Sequence, residues 1–184
     1  MSDILTAEEL RQYAKLLEIL PKGSPNIDRV RQLLENDRIA RCKDNFLPFV
    51  QSMWPSFISG RHHKIMADAF ERIANGTLKR LIINMSPRHT KSEFASYLLP
   101  AWFLGKYPEK KIIQTAHTAE LAVGFGRKAR NLINSIDYQT VFKTKLSTDS
   151  KAAGRWNTSA GGDYFAIGVG GAVTGLRYQD TDRL

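Results

Sequence analysis

Residues 81–92 read LIINMSPRHTKS, and this stretch decides the predicted fold. Leu81–Met85 is a short apolar run, typical of a buried β-strand. A polar, basic loop follows it, and the chain from Lys91 to about Leu104 has the pattern of a helix. A strand, a loop and a helix in this order place the first backbone N–H groups of the helix, and its positive end, beside the loop.

The chain that follows repeats the alternation. Lys111–Ala116 is the next predicted strand, and a further helix is expected from about Thr118 to Asn134. Two short β-like runs, 155–158 and 164–169, predict a β-hairpin near the end of the chain. The alternation favours an α/β fold with three layers, in which helices cover a mainly parallel sheet.

A helical prefix, residues 1–43, precedes this domain, which we expect to span 44–184. Thr6 and Glu9 form the pattern of a capping box at the start of the first helix, and Ser24 followed by Pro25 begins the second. Aromatic residues then cluster at Phe46, Phe49 and Trp54. They could wall an adenine pocket, although aromatic residues at this spacing more often belong to a core.

Composition narrows the class of protein. The chain has 184 residues, with 27 Lys and Arg against 18 Asp and Glu and a net charge of +9. This excess of positive charge favours an anionic partner such as nucleic acid. The single cysteine, Cys42, excludes an intrachain disulfide and a cysteine-based zinc site. Because no run of about 18 apolar residues exists, we expect a soluble, intracellular protein with no membrane span.

Residues 86–90 form the predicted loop, and Lys91 and Ser92 begin the helix. This segment, called the 86–92 loop below, has the position of a phosphate-binding loop. Lys91 would reach the β- and γ-phosphates of a nucleotide, and Ser92 would ligate Mg²⁺. The sequence departs from the GxxxxGK[ST] pattern, because Met85 and Thr90 stand at the two glycine positions. A β-branched residue such as Thr90 does not easily adopt a positive φ. The alternative is an ordinary strand–helix connection, with Thr90 as N-cap and Lys91 in solvent.

Several motifs, in order, resemble the large terminase subunits of tailed bacteriophages. Asn84–Glu93 is similar to their deviant Walker A loop, which is usually of a Pro-Arg-His-Gly-Lys-Ser type. Trp54-Pro55, followed by Gly60–His63 and Ile65, resembles the segment that precedes that loop, and 115–117 resemble the strand end called motif Ia. Residues 156–158 and 168–175 resemble the stretch before Walker B. The resemblance covers about residues 45–184.

The resemblance implies a P-loop NTPase fold that binds ATP and Mg²⁺. It makes Arg88 a candidate catalytic arginine at the γ-phosphate and places one of His62 and His63 near the adenine. The remaining residues of the implied cofactor site are Ser86, Pro87, His89, Thr90, Lys91 and Ser92, with Ser92 as the Mg²⁺ ligand.

The implied partners are double-stranded DNA, the small terminase subunit and the portal protein of the procapsid. The implied assembly is a homo-oligomeric ring in the host cytoplasm. Family members carry the Walker B acids and a nuclease domain after the region that ends here at Leu184. We therefore expect this chain alone to bind nucleotide weakly and to turn nothing over.

Two other functions stay open from the sequence: a helicase-type P-loop DNA motor, and a non-catalytic DNA-binding module. Seven basic residues in the second half of the chain are candidate contacts for DNA phosphates, for a neighbouring subunit's site, or for solvent alone. They are Arg127, Lys128, Arg130, Lys143, Lys145, Lys151 and Arg155.

Overall fold

The computed structural model describes residues 4–21, 23–148 and 152–171. The helices in these ranges are α1 (Ala7–Ile19), α2 (Pro25–Asp44), α3 (Phe46–Met53), α4 (Arg61–Ala74), a π-helical segment (Glu93–Leu98), α5 (Leu99–Lys106), α6 (Ala119–Ile133) and α7 (Ile136–Val141). The strands are β1 (Lys111–Ala116), β2 (Arg155–Asn157) and β3 (Asp163–Gly168). In this part of the chain, no helix has both the length and the apolar character that a membrane crossing requires.

The predicted three-layer P-loop NTPase fold, with its mainly parallel sheet, is wrong. The described chain is largely helical, and its sheet has three strands in the order β1-β3-β2. β1 runs parallel to β3, with Lys111 opposite Asp163, whereas β2 runs antiparallel to β3. The molecule is therefore a helical body with a small mixed sheet.

The predicted strand at Leu81–Met85 accounts for much of this difference. No strand in the described ranges pairs with this segment, and the side chain of Ile82 is 86% exposed. Only Ile83 and Met85 pack against the core. An apolar run becomes a buried strand when neighbouring strands pair with both of its edges and both faces are covered. Here an extended segment lies over the helical body on one face and meets solvent on the other.

Elements with strong local signals form where the sequence predicts them. The Thr6 hydroxyl accepts the Glu9 N–H and the Glu9 carboxylate accepts the Thr6 N–H, which is the predicted capping box at the start of α1. Ser24 caps α2. β1 has the predicted bounds, and β2 with β3 forms the predicted hairpin.

Aromatic residues from α3, α4 and the helix after the 86–92 loop form the centre of the core. Phe46 is fully buried, and its ring centroid lies 5.4 to 5.6 Å from those of Phe70, Phe94 and Trp102. Phe49 is fully buried beside them. Edge-on contacts of this kind are favourable in addition to the apolar area that they bury. Phe46 and Phe49 therefore belong to the core and do not wall an adenine pocket.

The helix after the loop is continuous but not uniform. Its helical backbone begins at Lys91, widens into the π-helical segment, and continues as α5. Pro100 has no N–H to donate and its ring crowds the carbonyl four residues before it, which disfavours regular α-helix here. The N–H of Leu99 instead donates to the carbonyl of Phe94, five residues back. One continuous helix thus runs from the loop to Lys106.

Candidate functional site

The 86–92 loop surrounds an open cavity of about 530 Å³, lined by the consecutive residues Met85 to Glu93. Both ends of the loop are anchored. Met85 packs against the core before it, and Phe94, fully buried, follows it. The N–H of Phe94 donates to the carbonyl of Thr90 at 2.9 Å, which closes the first helical turn. Met85, at the first glycine position of the phosphate-loop pattern, is therefore an apolar anchor.

Two residues of the loop adopt left-handed backbone conformations. The φ angle is 64° at Arg88 and 60° at Thr90. Such angles cost a residue with a Cβ atom roughly 1–2 kcal/mol, and they persist where surrounding contacts hold them. The expectation that a β-branched residue resists positive φ is overcome at Thr90, because two hydrogen bonds hold its side chain.

His63 supplies the first of these bonds, from α4. The N–H of Gly60 donates to Nδ1 of His63 at 2.9 Å, so the ring proton of the neutral side chain lies on Nε2. Nε2 donates to Oγ1 of Thr90 at 2.6 Å, and that hydroxyl donates to the carbonyl of His89 at 2.6 Å. Burial, followed by the neighbouring charges of His62 and His89, lowers the pKa of His63 and favours this neutral form.

His62 lies beside His63, although adjacent side chains on a helix are expected to point about 100° apart. The two ring centroids are 3.8 Å apart, and His62 lies 6.0 Å from the ring of His89. Gly60 leaves room for this arrangement, because a Cβ atom there would lie 3.0 Å from the His62 ring. Both nitrogens of His63 have protein partners, whereas the half-buried His62 borders the loop.

The 86–92 loop carries positive charge that the carboxylate of the next residue, Glu93, does not neutralise. The Glu93 carboxylate lies 2.7 Å from the ammonium of Lys128, on α6. Within the ranges that the structure describes, neither Lys91 nor Arg88 forms an ion pair. Lys91 is half-buried and Arg88 is exposed. Both cations are therefore available to an anion in the cavity.

Ser92 is exposed, and its hydroxyl makes no capping hydrogen bond to the helix. It is therefore free to ligate a cation. The described residues contain no group of three or more metal-ligating side chains. Mg²⁺ often binds proteins through few side chains and completes its shell with water and substrate phosphates. The donor set here fits Mg²⁺ only in that manner, together with a phosphate ligand.

A second cavity, of about 590 Å³, adjoins the loop through Glu93. It lies at the carboxyl end of β1, where Thr118 caps α6, and Phe125 and Lys128 also line it. β1 ends at Ala116, which agrees with the predicted strand end at 115–117. The Glu93–Lys128 pair joins residues 35 apart, and no sequence pattern indicates it.

A third cavity has several basic residues in its lining. Lys43, Lys106 and Lys143 border a space of about 500 Å³ near the carboxyl ends of α2, α5 and α7. The Lys106 ammonium donates to the carbonyl of Asp44, the last residue of α2, at 3.3 Å. The ends of these helices carry partial negative charge, and cations near them are stabilising. The three lysines are thus explained by the helix ends, without a bound anion.

The other predicted basic contacts are dispersed. Arg155 lies 3.6 Å from the Asp163 carboxylate and its guanidinium lies over the Phe165 ring, while Lys128 pairs with Glu93. Arg127 and Lys145 are exposed, and Arg130 is half-buried on α6. Lys151, residues 172–175 of the glycine-rich stretch and the terminal 180–184 lie outside the described residues.

Comparison of the chain with protein-family models, with curated proteins and with solved structures gives no match.

Proposed function

We propose that the 86–92 loop binds the phosphates of ATP together with Mg²⁺. We further propose that the chain is the ATP-binding part of a DNA-packaging motor, of the kind that the large terminase subunits form. The proposal rests on the geometry of the loop and on the ordered motifs that resemble those proteins.

The observation that carries the proposal is the cavity of about 530 Å³, which consecutive residues of the loop enclose. The helical backbone begins at Lys91, so the N–H groups of the first turn lack acceptors within the helix and favour an anion. Lys91 adds a full charge at the same place, and Lys128 holds the Glu93 carboxylate that could otherwise neutralise it. Positive charge, unpaired backbone donors and a concave surface coincide here.

Each candidate residue then has a distinct role in the proposal. The Lys91 ammonium bonds the β- and γ-phosphates, and the Arg88 guanidinium reaches the γ-phosphate. Ser92 ligates Mg²⁺, which neutralises part of the phosphate charge. Ser86, Pro87, His89 and Thr90 shape the backbone around the phosphates.

The partners in this proposal are double-stranded DNA, the small terminase subunit and the portal of a procapsid, with the motor assembled as a homo-oligomeric ring in the host cytoplasm. The net charge of +9 supports a polyanionic partner, because cationic side chains that neutralise DNA phosphates release counterions.

Titration of a fluorescent ATP analogue with Mg²⁺ tests the nucleotide site. We expect saturable binding by the wild-type chain and binding at least roughly 10-fold weaker in Lys91→Ala, since a hydrogen bond to a charged group is lost. Lys64→Ala is the matched control, because Lys64 is an exposed lysine on α4 outside the cavity lining, and we expect it to bind as wild type.

Equal affinity in the wild-type and Lys91→Ala chains would contradict the proposal. So would absence of saturable binding by a wild-type sample whose circular dichroism shows that it is folded. If the folded wild-type chain bound no nucleotide but bound DNA, and Lys91→Ala bound DNA equally well, the chain would be better described as a non-catalytic DNA-binding module.

A further inference from the structure

We infer that His63 is a positioning residue for the 86–92 loop. Its hydrogen bond to Thr90 holds Thr90 in the left-handed conformation, and the phosphate affinity of the loop depends on that bond. The inference rests on the proposed phosphate site and adds a residue of α4 that acts on phosphate only through the loop.

The hydrogen bonds around His63 run in one direction. The Gly60 N–H donates to Nδ1, Nε2–H donates to Oγ1 of Thr90, and the Thr90 hydroxyl donates to the carbonyl of His89. Each donor has one acceptor, so the tautomer of His63 and the rotamer of Thr90 are both determined. The chain of bonds connects the first turn of α4 to the residue that precedes Lys91.

Two phenylalanine rings pack against the imidazole. His63 is 5% exposed, and its ring centroid lies 4.7 Å from that of Phe57 and 4.9 Å from that of Phe94. Phe94 itself is fully buried in the core. The ring therefore cannot follow the loop if the loop moves, and Thr90 is bonded to a rigid part of the molecule.

The conformation of Thr90 determines the direction of the next peptide group. At a φ of 60°, Thr90 adopts an angle that glycine tolerates and a β-branched residue does not favour. Without the bond from His63, we expect Thr90 to relax toward negative φ, which turns the N–H of Lys91 away from its present direction. If the loop has the phosphate-binding conformation for only a fraction of the time, its apparent affinity for phosphate falls in proportion to that fraction.

Two substitutions separate the two bonds of His63. The amide of His63→Asn can accept the Gly60 N–H in place of Nδ1 but is too short to reach Thr90. The longer amide of His63→Gln can donate to Thr90 in place of Nε2–H. With the fluorescent ATP analogue and Mg²⁺, we expect His63→Asn to bind roughly 3- to 10-fold more weakly than wild type, as the loss of one hydrogen bond implies. We expect His63→Gln to recover most of that affinity.

A second background tests whether the effect passes through Thr90. Glycine adopts positive φ without support, so in a Thr90→Gly chain the added substitution His63→Asn is expected to leave binding unchanged. If His63→Asn weakened binding equally in both backgrounds, the positioning role would be overturned. Equal binding by His63→Asn and wild type would overturn it as well.

The loop conformation gives a readout that does not depend on nucleotide. We expect the backbone amide chemical shifts of Thr90 and Lys91 to change in His63→Asn and to return toward wild type in His63→Gln. Unchanged shifts in His63→Asn overturn the positioning role. By contrast, absence of nucleotide binding by the wild-type chain overturns the proposed function and the dependence of affinity on His63, whatever the shifts show.

Discussion

Thr90 has a backbone conformation that usually favours glycine. It is tolerated because its hydroxyl has both a donor, Nε2 of His63, and an acceptor, the carbonyl of His89. A hydroxyl that bonds neighbouring groups can offset much of the roughly 1–2 kcal/mol that a left-handed residue costs. The strained residue lies in the loop that borders the candidate site, where backbone strain is often found in proteins.

Because the pKa of His63 is lowered in the folded chain, we expect the stability of the protein to depend on pH. Its folded-state pKa is lowered, first by burial and then by the charges of His62 and His89, below the value of 6.5 in the unfolded chain. The unfolded chain therefore takes up this proton at a higher pH than the folded chain does. The contribution of His63 to stability is fully present above pH 6.5 and is lost as the pH falls from 6.5 through the folded pKa.

Urea unfolding at several pH values between about 5 and 8 measures this contribution. We expect the wild-type chain to lose more stability toward low pH than His63→Gln, whose amide does not titrate. All other residues are the same in both chains, so the difference between the two curves reports the substitution at position 63. Parallel curves would contradict the prediction.

At the scale of the element, α1 is attached to the molecule by few interactions. None of its residues is buried. Asp37 on α2 is 3% exposed, and its carboxylate accepts the N–H of Leu5 at 2.7 Å and pairs with Arg41 at 2.7 Å. Arg41 in turn donates to the carbonyl of Leu5 at 2.5 Å. Asp37 and Arg41 therefore bond the N–H and the carbonyl of Leu5, which lies just before α1.

We therefore expect Asp37→Ala to release α1 from the body. The amides of residues 7–19 should exchange faster with deuterium, and the free energy of unfolding should fall by about 1–3 kcal/mol, because Arg41 and the Leu5 N–H lose their partner. The control is Asp28→Ala, which like Asp37 lies on α2. The exposed ion pair of Asp28 with Arg31 spans 3.8 Å, and we expect it to contribute less than about 1 kcal/mol. Equal exchange of α1 in both variants would show that Asp37 does not hold it.

At the scale of the molecule, α6 covers the small sheet at very close range. The fully buried rings of Trp156 and Tyr164 are stacked, with centroids 4.7 Å apart. The Trp156 indole N–H donates to the carbonyl of Gly126 at 3.2 Å. A Cβ atom on Gly126 would lie 2.7 Å from the carbonyl oxygen of Ala153 and 2.8 Å from the Tyr164 ring. The close approach of helix and sheet therefore requires glycine at 126.

Two glycines of α6 form a matched pair of variants. Alanine favours a helix over glycine by about 0.5–1 kcal/mol at either position. A Cβ atom on Gly124 would meet no other atom of the described chain within 4 Å, so we expect Gly124→Ala to stabilise the protein by about that amount. Gly126→Ala displaces α6 from the sheet, and we expect a loss of about 1–3 kcal/mol in urea unfolding. The same sign of change in both variants would contradict this packing.

The sequence by itself determined the elements whose signals are local. The capping box at Thr6, strand β1 and the β2–β3 hairpin depend on residues a few positions apart, so their patterns survive without knowledge of the rest of the chain. The sequence also places a basic loop directly before a helix, and this order identified the candidate site.

Only the tertiary structure decided whether Leu81–Met85 would become a strand, because a strand needs hydrogen-bonding neighbours that its own residues do not encode. It also decided the support of the site, through the bond from His63 to Thr90, 27 residues apart, and the ion pair of Glu93 with Lys128. The physical reason is the same in both cases. Contacts between distant residues depend on how the elements pack, and local periodicity carries no information about them.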